Sequence, residues 1–456
     1  MALGIDGLVS GLDTTSLINA LMQAEALPQA ALKKKVTSTQ SLISAFQKLN
    51  TAVAKVGTVA QATGKPDALQ TFKTTSSAAS VTVTAGSAAT PGDLQFTVGS
   101  TAAAHRIVSA PMGAWPDDPP VLTFVKGGVT TTVTAKSTSL TDVAAAVGAA
   151  DAGVTVSRVA AGTDAGGNPL YRLQFTASET GAENAFSVRR GSGASAIDLE
   201  DEGATVVQQA KDAKILLWAG TAAQQEISSA SNRFEGVLPG VDITVAKSET
   251  DPVTVTVARD ADKAAAVVKS LVSSIAEALA LIQVHSTVTT STGSDGQSSA
   301  RGGVFTGDST VRDVAARLRT AASAPVDGRS PSEYGIVLTK TGNIEFDAEK
   351  FAKALEADPA RTAAAVDAIS GRLQDASKVV SDKFEGTLTS RITGQESVLR
   401  SLSTQVESWD RRLESRRAVL ERTYAAMEVQ LGKLNSQSTW LAGQLGSLPT
   451  SSGASS

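Results

Sequence analysis

The C-terminal quarter of the chain carries a seam that no soluble fold can leave in water. Leu388, Ile392, Gln395, Leu399, Leu402, Val406, Trp409 and Leu413 step alternately by four and three residues. A mean step of about 3.5 is the signature of a coiled coil or a long packed helix. After a polar break at Arg416, the stripe continues through Leu420, Met427, Leu431, Leu434 and Leu441, with Tyr424 alongside. Charges of both signs fill the other faces, and no proline falls between Pro359 and Pro449.

A second stripe lies at the opposite end. Leu17, Leu21 and Ala24 precede Pro28, and Leu42, Phe46, Leu49, Val53 and Val56 follow it with the same alternation. Asp13 and Thr14 are the N-cap candidates of the first segment. Pro28 interrupts or kinks the helix, or starts a new one in its first turn. Burying one Leu, Val or Phe is worth about 1.5–3 kcal/mol, so a dozen left wet are untenable. The two ends are therefore expected to pack on each other. A single antiparallel pair still leaves part of each stripe uncovered, which predicts self-association or docking to similar helical pairs. The alternative is that both stripes are intramolecular core and nothing more.

Between Phe72 and Val257 the period changes to two. Val81 and Val83, Leu94, Phe96 and Val98, Val129, Thr131 and Val133, Val241, Ile243 and Val245, and Val253, Val255 and Val257 alternate with polar neighbours. These are half-buried strands. A short helix is expected at Leu140 to Ala149, with strands at Val154 to Val159 and Tyr171 to Thr176. The proline-rich loop Pro111 to Pro120 marks a subdomain border. From Asp260 the helical period returns, with Asp260 or Asp262 as cap. Ser286 to Gly303 reads as a flexible Ser/Thr/Gly loop. A hairpin follows at Ile336–Leu338 and Ile344–Phe346 around Thr341-Gly342-Asn343, then helical segments at Ala348 to Glu356 and Ala360 to Ser370.

The fold class is multidomain α+β, with paired terminal helices as legs and inserted β-rich heads. The expected division is as follows: 1–50, N-terminal leg helices; 51–70 with 260–375, a helical middle domain with a β-hairpin; 71–108 with 231–259, a lower β head; 109–230, an inserted upper head; 376–449, the C-terminal leg; 450–456, a disordered Ser-rich tail.

Composition excludes much chemistry. The 456 residues include no cysteine and two histidines, His105 and His285. Disulfides, thiol nucleophiles and Cys-ligated metals are out, and a His-based triad or multi-His metal site is disfavoured. Aromatics are only 4% of the chain, too few for one large globular core. A net charge of −4 and a pI near 5.5 provide no general attraction for nucleic acid or anionic lipid. Acidic Asp6 and Asp13 stand where a secretory signal has its basic region, and Lys33 is the first cationic side chain. That predicts a cytoplasmic chain, or export without a cleaved signal. Leu271 to Val284 looks too short and polar to span a bilayer.

The remaining motifs favour structural roles. Gly302-Gly303-Val304-Phe305-Thr306-Gly307-Asp308-Ser309 imitates a phosphate loop, but Asp308 replaces the lysine and reads better, with Ser309, as an N-cap. Asp117-Asp118 and Asp260/Asp262 read as surface or capping carboxylates. Lys33-Lys34-Lys35 is a solvated helical face. No catalytic, cofactor-binding or metal-ligating residue is assigned.

Specific residues then sharpen the reading. Gly4-Ile5-Asp6-Gly7-Leu8-Val9-Ser10-Gly11-Leu12-Asp13-Thr14-Thr15-Ser16-Leu17-Ile18, with Leu21-Met22 and Glu25, resembles the N-terminus of the flagellar filament cap family, hook-associated protein 2 or FliD. Met427-Glu428 through Leu434-Asn435-Ser436-Gln437-Ser438-Thr439-Trp440-Leu441 resembles that family's C-terminus. Leu140 to Ala149 with Tyr171-Arg172-Leu173 and Thr180-Gly181-Ala182-Glu183-Asn184 looks like the small motif of flagellin-related heads, and Ser231-Asn232 with Gly236-Val237-Leu238-Pro239-Gly240-Val241 looks like the cap family's return to its lower head. Ala364-Ala365-Val366-Asp367 departs from it by lacking paired aromatics.

The resemblance implies a structural, non-enzymatic protein at the extracellular tip of the flagellum. It implies a homo-oligomeric ring that retains exported flagellin and promotes its folding, with hook–filament junction proteins as neighbours. Export through the flagellar type III apparatus and a cytoplasmic chaperone for the C-terminal helix are also implied, with no cofactor, nucleic acid or membrane insertion. The assembly interface is assigned to Ile5, Leu8, Leu12, Leu17, Ile18 and Leu21 at one end. At the other it is assigned to Leu402, Val406, Trp409, Leu413, Leu420, Leu431, Leu434, Trp440 and Leu441. Alternatives are a flagellin-like or junction subunit, and an adhesin using the β head.

Overall fold

The computed structural model describes residues 13–292 and 297–446. Its helices are α1 (Thr14–Glu25), α2 (Leu27–Thr63), α3 (Leu140–Ala149), α4 (Ala261–Ser286), α5 (Ser309–Ser323), α6 (Ala348–Ala357), α7 (Pro359–Ser381) and α8 (Thr387–Gly446). The chain divides into two units, one built from residues up to Lys65 and from Ala265 onward, the other from Pro66–Ala264.

The first unit is mainly helical. The Asp13 carboxylate caps α1, accepting from Ser16 N at 2.8 Å. Pro28 falls in the first turn of α2, where its missing N–H costs nothing, so it starts a helix rather than kinking one. On α2 the residues Phe46, Leu49, Val53, Val56 and Ala60 are buried. They face α7, whose Ala365, Val366, Ile369, Leu373 and Val380 are buried in turn. The approach is close. A Cβ added at Gly57 would lie 3.0 Å from Ser377 Cβ, and one at Gly64 3.2 Å from Ser370 Cβ.

Helix α4 is longer and more apolar than the sequence reading allowed. Its 26 residues are long and apolar enough to cross a membrane by composition. Its apolar face is instead core, with Val268, Leu271, Val272, Ile275, Ala278, Leu279 and Ile282 buried. Asp260 does cap it, accepting from Lys263 N at 2.9 Å.

The expected hairpin is present, Ile336 pairing with Phe346 and Leu338 with Ile344. Gly335 precedes it at φ +78, where a Cβ would stand 2.5 Å from Asp347 O. Helix α7 continues eleven residues past the expected Ser370, to Ser381. The expected loop at Ser286–Gly303 is instead an antiparallel pair, Val288–Thr292 with Ser298–Gly302. Its Thr and Val favour extended backbone even without an apolar face, which hides the strand from a periodicity reading.

The second unit holds two apolar cores. The first gathers Ile107, Trp115, Leu122, Phe124, Leu173, Phe175, Phe186 and Val188 with Leu140, Val143 and Val147 of α3. It lies among strands of two four-stranded sheets, of which Val121–Lys126 with Val129–Thr134, and Val154–Thr163 with Pro169–Ala177, are the main hairpins. The second core gathers Leu94, Phe96, Val98, Ile215, Phe234, Ile243, Val253, Val255 and Val257. Its five-stranded sheet runs in the order Phe72–Ser76, Glu249–Arg259, Gly92–Ser100, Ala213–Leu217, Gln225–Ser229. The last two strands fall within 109–230, which the sequence reading assigned to the upper head. They join this sheet because Ile215 and Leu217 pair with Val98 and Phe96 and close its core.

Candidate assembly surface

Helices α1 and α2 lie antiparallel to α8. Arg417 Nη2 donates to Asn19 Oδ1 at 3.1 Å, and Arg416 Nε to Glu25 Oε1 at 2.9 Å. Gln29 Nε2 donates to Asp410 Oδ1, and Lys33 Nζ stands 3.9 Å from the same oxygen. Residue numbers rise on one side as they fall on the other, so α1 and α2 run up α8 as it runs down. Arg416, a break in the apolar stripe of the sequence, is thus the residue that ties α8 to the end of α1.

The stripe itself is only partly covered. Leu388 is buried at the base of α8, and Ile392, Gln395, Leu399, Leu402, Val406, Trp409, Leu413, Leu420, Tyr424, Met427 and Leu431 are half-buried. The Arg412 guanidinium lies 4.9 Å above the Trp409 ring, shielding one face by a cation–π contact. Farther along, Leu434, Trp440 and Leu441 are 59%, 65% and 54% exposed. On α1, Ile18 is buried against the bundle, while Leu17 and Leu21 are 45% and 40% exposed.

Of the residues assigned to assembly, Ile5, Leu8 and Leu12 lie outside the described residues, as does the expected disordered tail. The remaining ones fall into two groups. Ile18 is buried, and Leu402, Val406, Trp409, Leu413, Leu420 and Leu431 are half-buried. Leu17, Leu21, Leu434, Trp440 and Leu441 face water. The polar cross-links Gln29–Asp410 and Glu25–Arg416 went unnoticed in the sequence. Their only signal there is the helical phase, which sets neither partner nor register.

The other singled-out side chains have structural partners. Buried His105 accepts from Phe186 N through Nδ1 at 3.2 Å and meets the Phe186 ring edge-on at 4.9 Å. Burial lowers its pKa, outweighing the Glu200 charge, which acts to raise it. His285 packs edge-on against Phe305. Asp308 caps α5, accepting from Val311 N at 3.1 Å, and holds Arg391 at 3.5 Å. Asp117 pairs with Arg190 at 2.7 Å. Among the described residues no group of three or more His, Asp and Glu side chains is placed to hold a metal ion.

Comparison with known proteins bears on both units. The family model for the flagellar hook-associated protein 2 N-terminus matches residues 10–105, and that for its C-terminus matches residues 210–436. An A-type flagellar hook-associated protein 2 of Pseudomonas aeruginosa is 27% identical over 98% of both chains. The flagellar hook-associated protein 2 of Escherichia coli K12 is 25% identical over 96% of this chain and 97% of its own. The crystal structure of the D1-D2-D3 domains of the Escherichia coli flagellar cap protein FliD covers 77% of this chain and 99% of its own. It superposes with a TM-score of 0.58 at 22% identity, a likeness of fold.

Proposed function

This chain belongs to the flagellar hook-associated protein 2 family, the flagellar cap proteins, and from that premise we propose that it forms a homo-oligomeric ring at the distal end of the filament. The ring retains exported flagellin and promotes its folding and insertion at the growing tip. No bond is made or broken; the work is steric confinement and the supply of a complementary helical surface.

The observation that carries this reading is the half-covered stripe on the paired terminal helices. Its side chains are spaced for a helical partner, and among the described residues they remain half-buried to exposed. Helices of the same kind on neighbouring subunits and on filament or hook–filament junction subunits are the partners such a surface fits. The wholly exposed segment from Leu434 to Leu441 supports an export chaperone holding that end in the cytoplasm, with type III export delivering the chain to the flagellar tip.

Electron microscopy of the purified full-length protein, with light scattering, tests the proposal. Closed rings of fixed subunit number are expected. Open helical fibres would instead favour a flagellin-like subunit, and a monomer at all concentrations would overturn the ring.

A further inference from the structure

The strands Val288–Thr292 and Ser298–Gly302 form a sheet of their own, in register from Val288↔Gly302 to Thr292↔Ser298. All ten residues are exposed. An isolated two-stranded pair is at best marginally stable in water; a third strand or a packed face is needed. Yet the base of this hairpin is firmly set. Gly303 N donates to Thr287 O at 3.0 Å and Phe305 N to His285 O at 2.9 Å. Phe305 is buried, its ring 5.3 Å from that of Phe46. A Cβ on Gly303 would lie 2.1 Å from His285 O, so only glycine lets the backbones cross here.

The Gly303–Thr287 bond also sets the phase of the ladder. Bonded and non-bonded pairs alternate in an antiparallel pair. Thr289–Arg301 and Ser291–Ser299 therefore bond inward. Val288, Thr290 and Thr292 turn their N–H and C=O groups out on one edge, and Ser298, Ala300 and Gly302 turn theirs out on the other. Natural sheets guard such edges with lysine, proline, a bulge or a covering element. The Val288–Thr292 edge carries no charge and no proline, and four of its five residues are β-branched. The opposite edge carries a single charge, Arg301.

We propose that this hairpin is a strand-addition site for a second copy of the chain, the Val288–Thr292 edge of one subunit pairing with the Ser298–Gly302 edge of the next. The inference rests on the ring reading above. A closed ring uses head-to-tail contacts between two different surfaces. One hairpin offers both, equal in length and on opposite sides. Continuing the register sets Thr290 beside the next copy's Ala300 and extends a hydroxyl ladder already begun by Ser291 and Ser299, whose Oγ atoms are 3.0 Å apart.

Because the chain has no cysteine, cross-linking of the full-length protein reads this pairing without background. Thr290→Cys and Ala300→Cys are made on separate chains, mixed and oxidised. The mixture is expected to give at least about tenfold more disulfide-linked pairs than either variant alone, because bridging requires adjacent Cβ atoms. Dominant linking of Thr290→Cys to itself would overturn head-to-tail pairing. Oligomers seen by light scattering without mixed cross-links would overturn strand addition and leave the ring standing. Monomers throughout would overturn the ring, and strand addition with it. As a second measure, Thr290→Pro removes an outward N–H and spares the inner ladder. With far-UV circular dichroism unchanged, it should raise the concentration for half-assembly about tenfold; an unchanged midpoint counts against the proposal.

Discussion

Arg416 reaches across from α8 to Glu25, Nε to Oε1 at 2.9 Å, and fixes the end of α1 against a residue 391 positions later in the chain. Both side chains remain partly exposed. An exposed ion pair contributes about 0–1 kcal/mol, so its role is to set register. Arg416→Glu should lower stability by no more than about 1 kcal/mol while speeding amide exchange in α1. Adding Glu25→Arg should restore protection, as hydrogen exchange of the single and double variants would report.

Leu413 sits half-buried on the same face of α8 as Trp409. A carboxylate there replaces an apolar contact with a charge that must be partly desolvated wherever a helix packs. Leu413→Asp should leave the β-rich unit folded, with its thermal transition unchanged, and abolish filament capping. Cells carrying it should swim poorly and shed unpolymerised flagellin. Normal swimming and a clear culture medium would remove Leu413 from the interface.

Gly335 holds φ +78 between the short helix at Pro331–Tyr334 and the Ile336–Leu338 strand. An alanine there meets both a disfavoured left-handed backbone and Asp347 O at 2.5 Å. Gly335→Ala should cost about 2 kcal/mol or more, seen as a lower urea midpoint. An unchanged midpoint would show that the turn relaxes freely.

His105 links stability to pH. Burial holds its pKa below the usual 6.5 in the folded state, so the unfolded chain takes up the proton first. Its contribution is fully present above the unfolded value and is lost as pH falls through the lower folded value. Protonation also deprives Phe186 N of its acceptor on Nδ1. Urea unfolding should show stability falling below about pH 6.5, and His105→Asn should flatten that slope.

The sequence makes some parts of this molecule plain and hides others. The α8 seam was legible because one phase persists over many turns, and Leu402, Val406, Trp409 and Leu413 are all half-buried. The Ile336–Phe346 hairpin was legible from Gly342, at φ +80 in the turn. The Val288–Gly302 pair was not, because Ser, Thr and Gly make linkers as readily as exposed strands. Ala213–Leu217 went astray for another reason. Its place is set by pairing with Phe96 and Val98 more than a hundred residues away, which local alternation cannot encode. Gln29 and Asp410 meet through the same kind of long-range register.

Helix α8 begins at a buried leucine and ends among exposed ones without a break, 60 residues and so about 90 Å long. Its ends therefore differ in what they can survive. Near Leu388 and the Arg391–Asp308 pair, loosening means unfolding the core; near Trp440 it means little more than fraying. Heating should therefore peel this helix from its far tip inward, the last turns lost well before the shoulder yields.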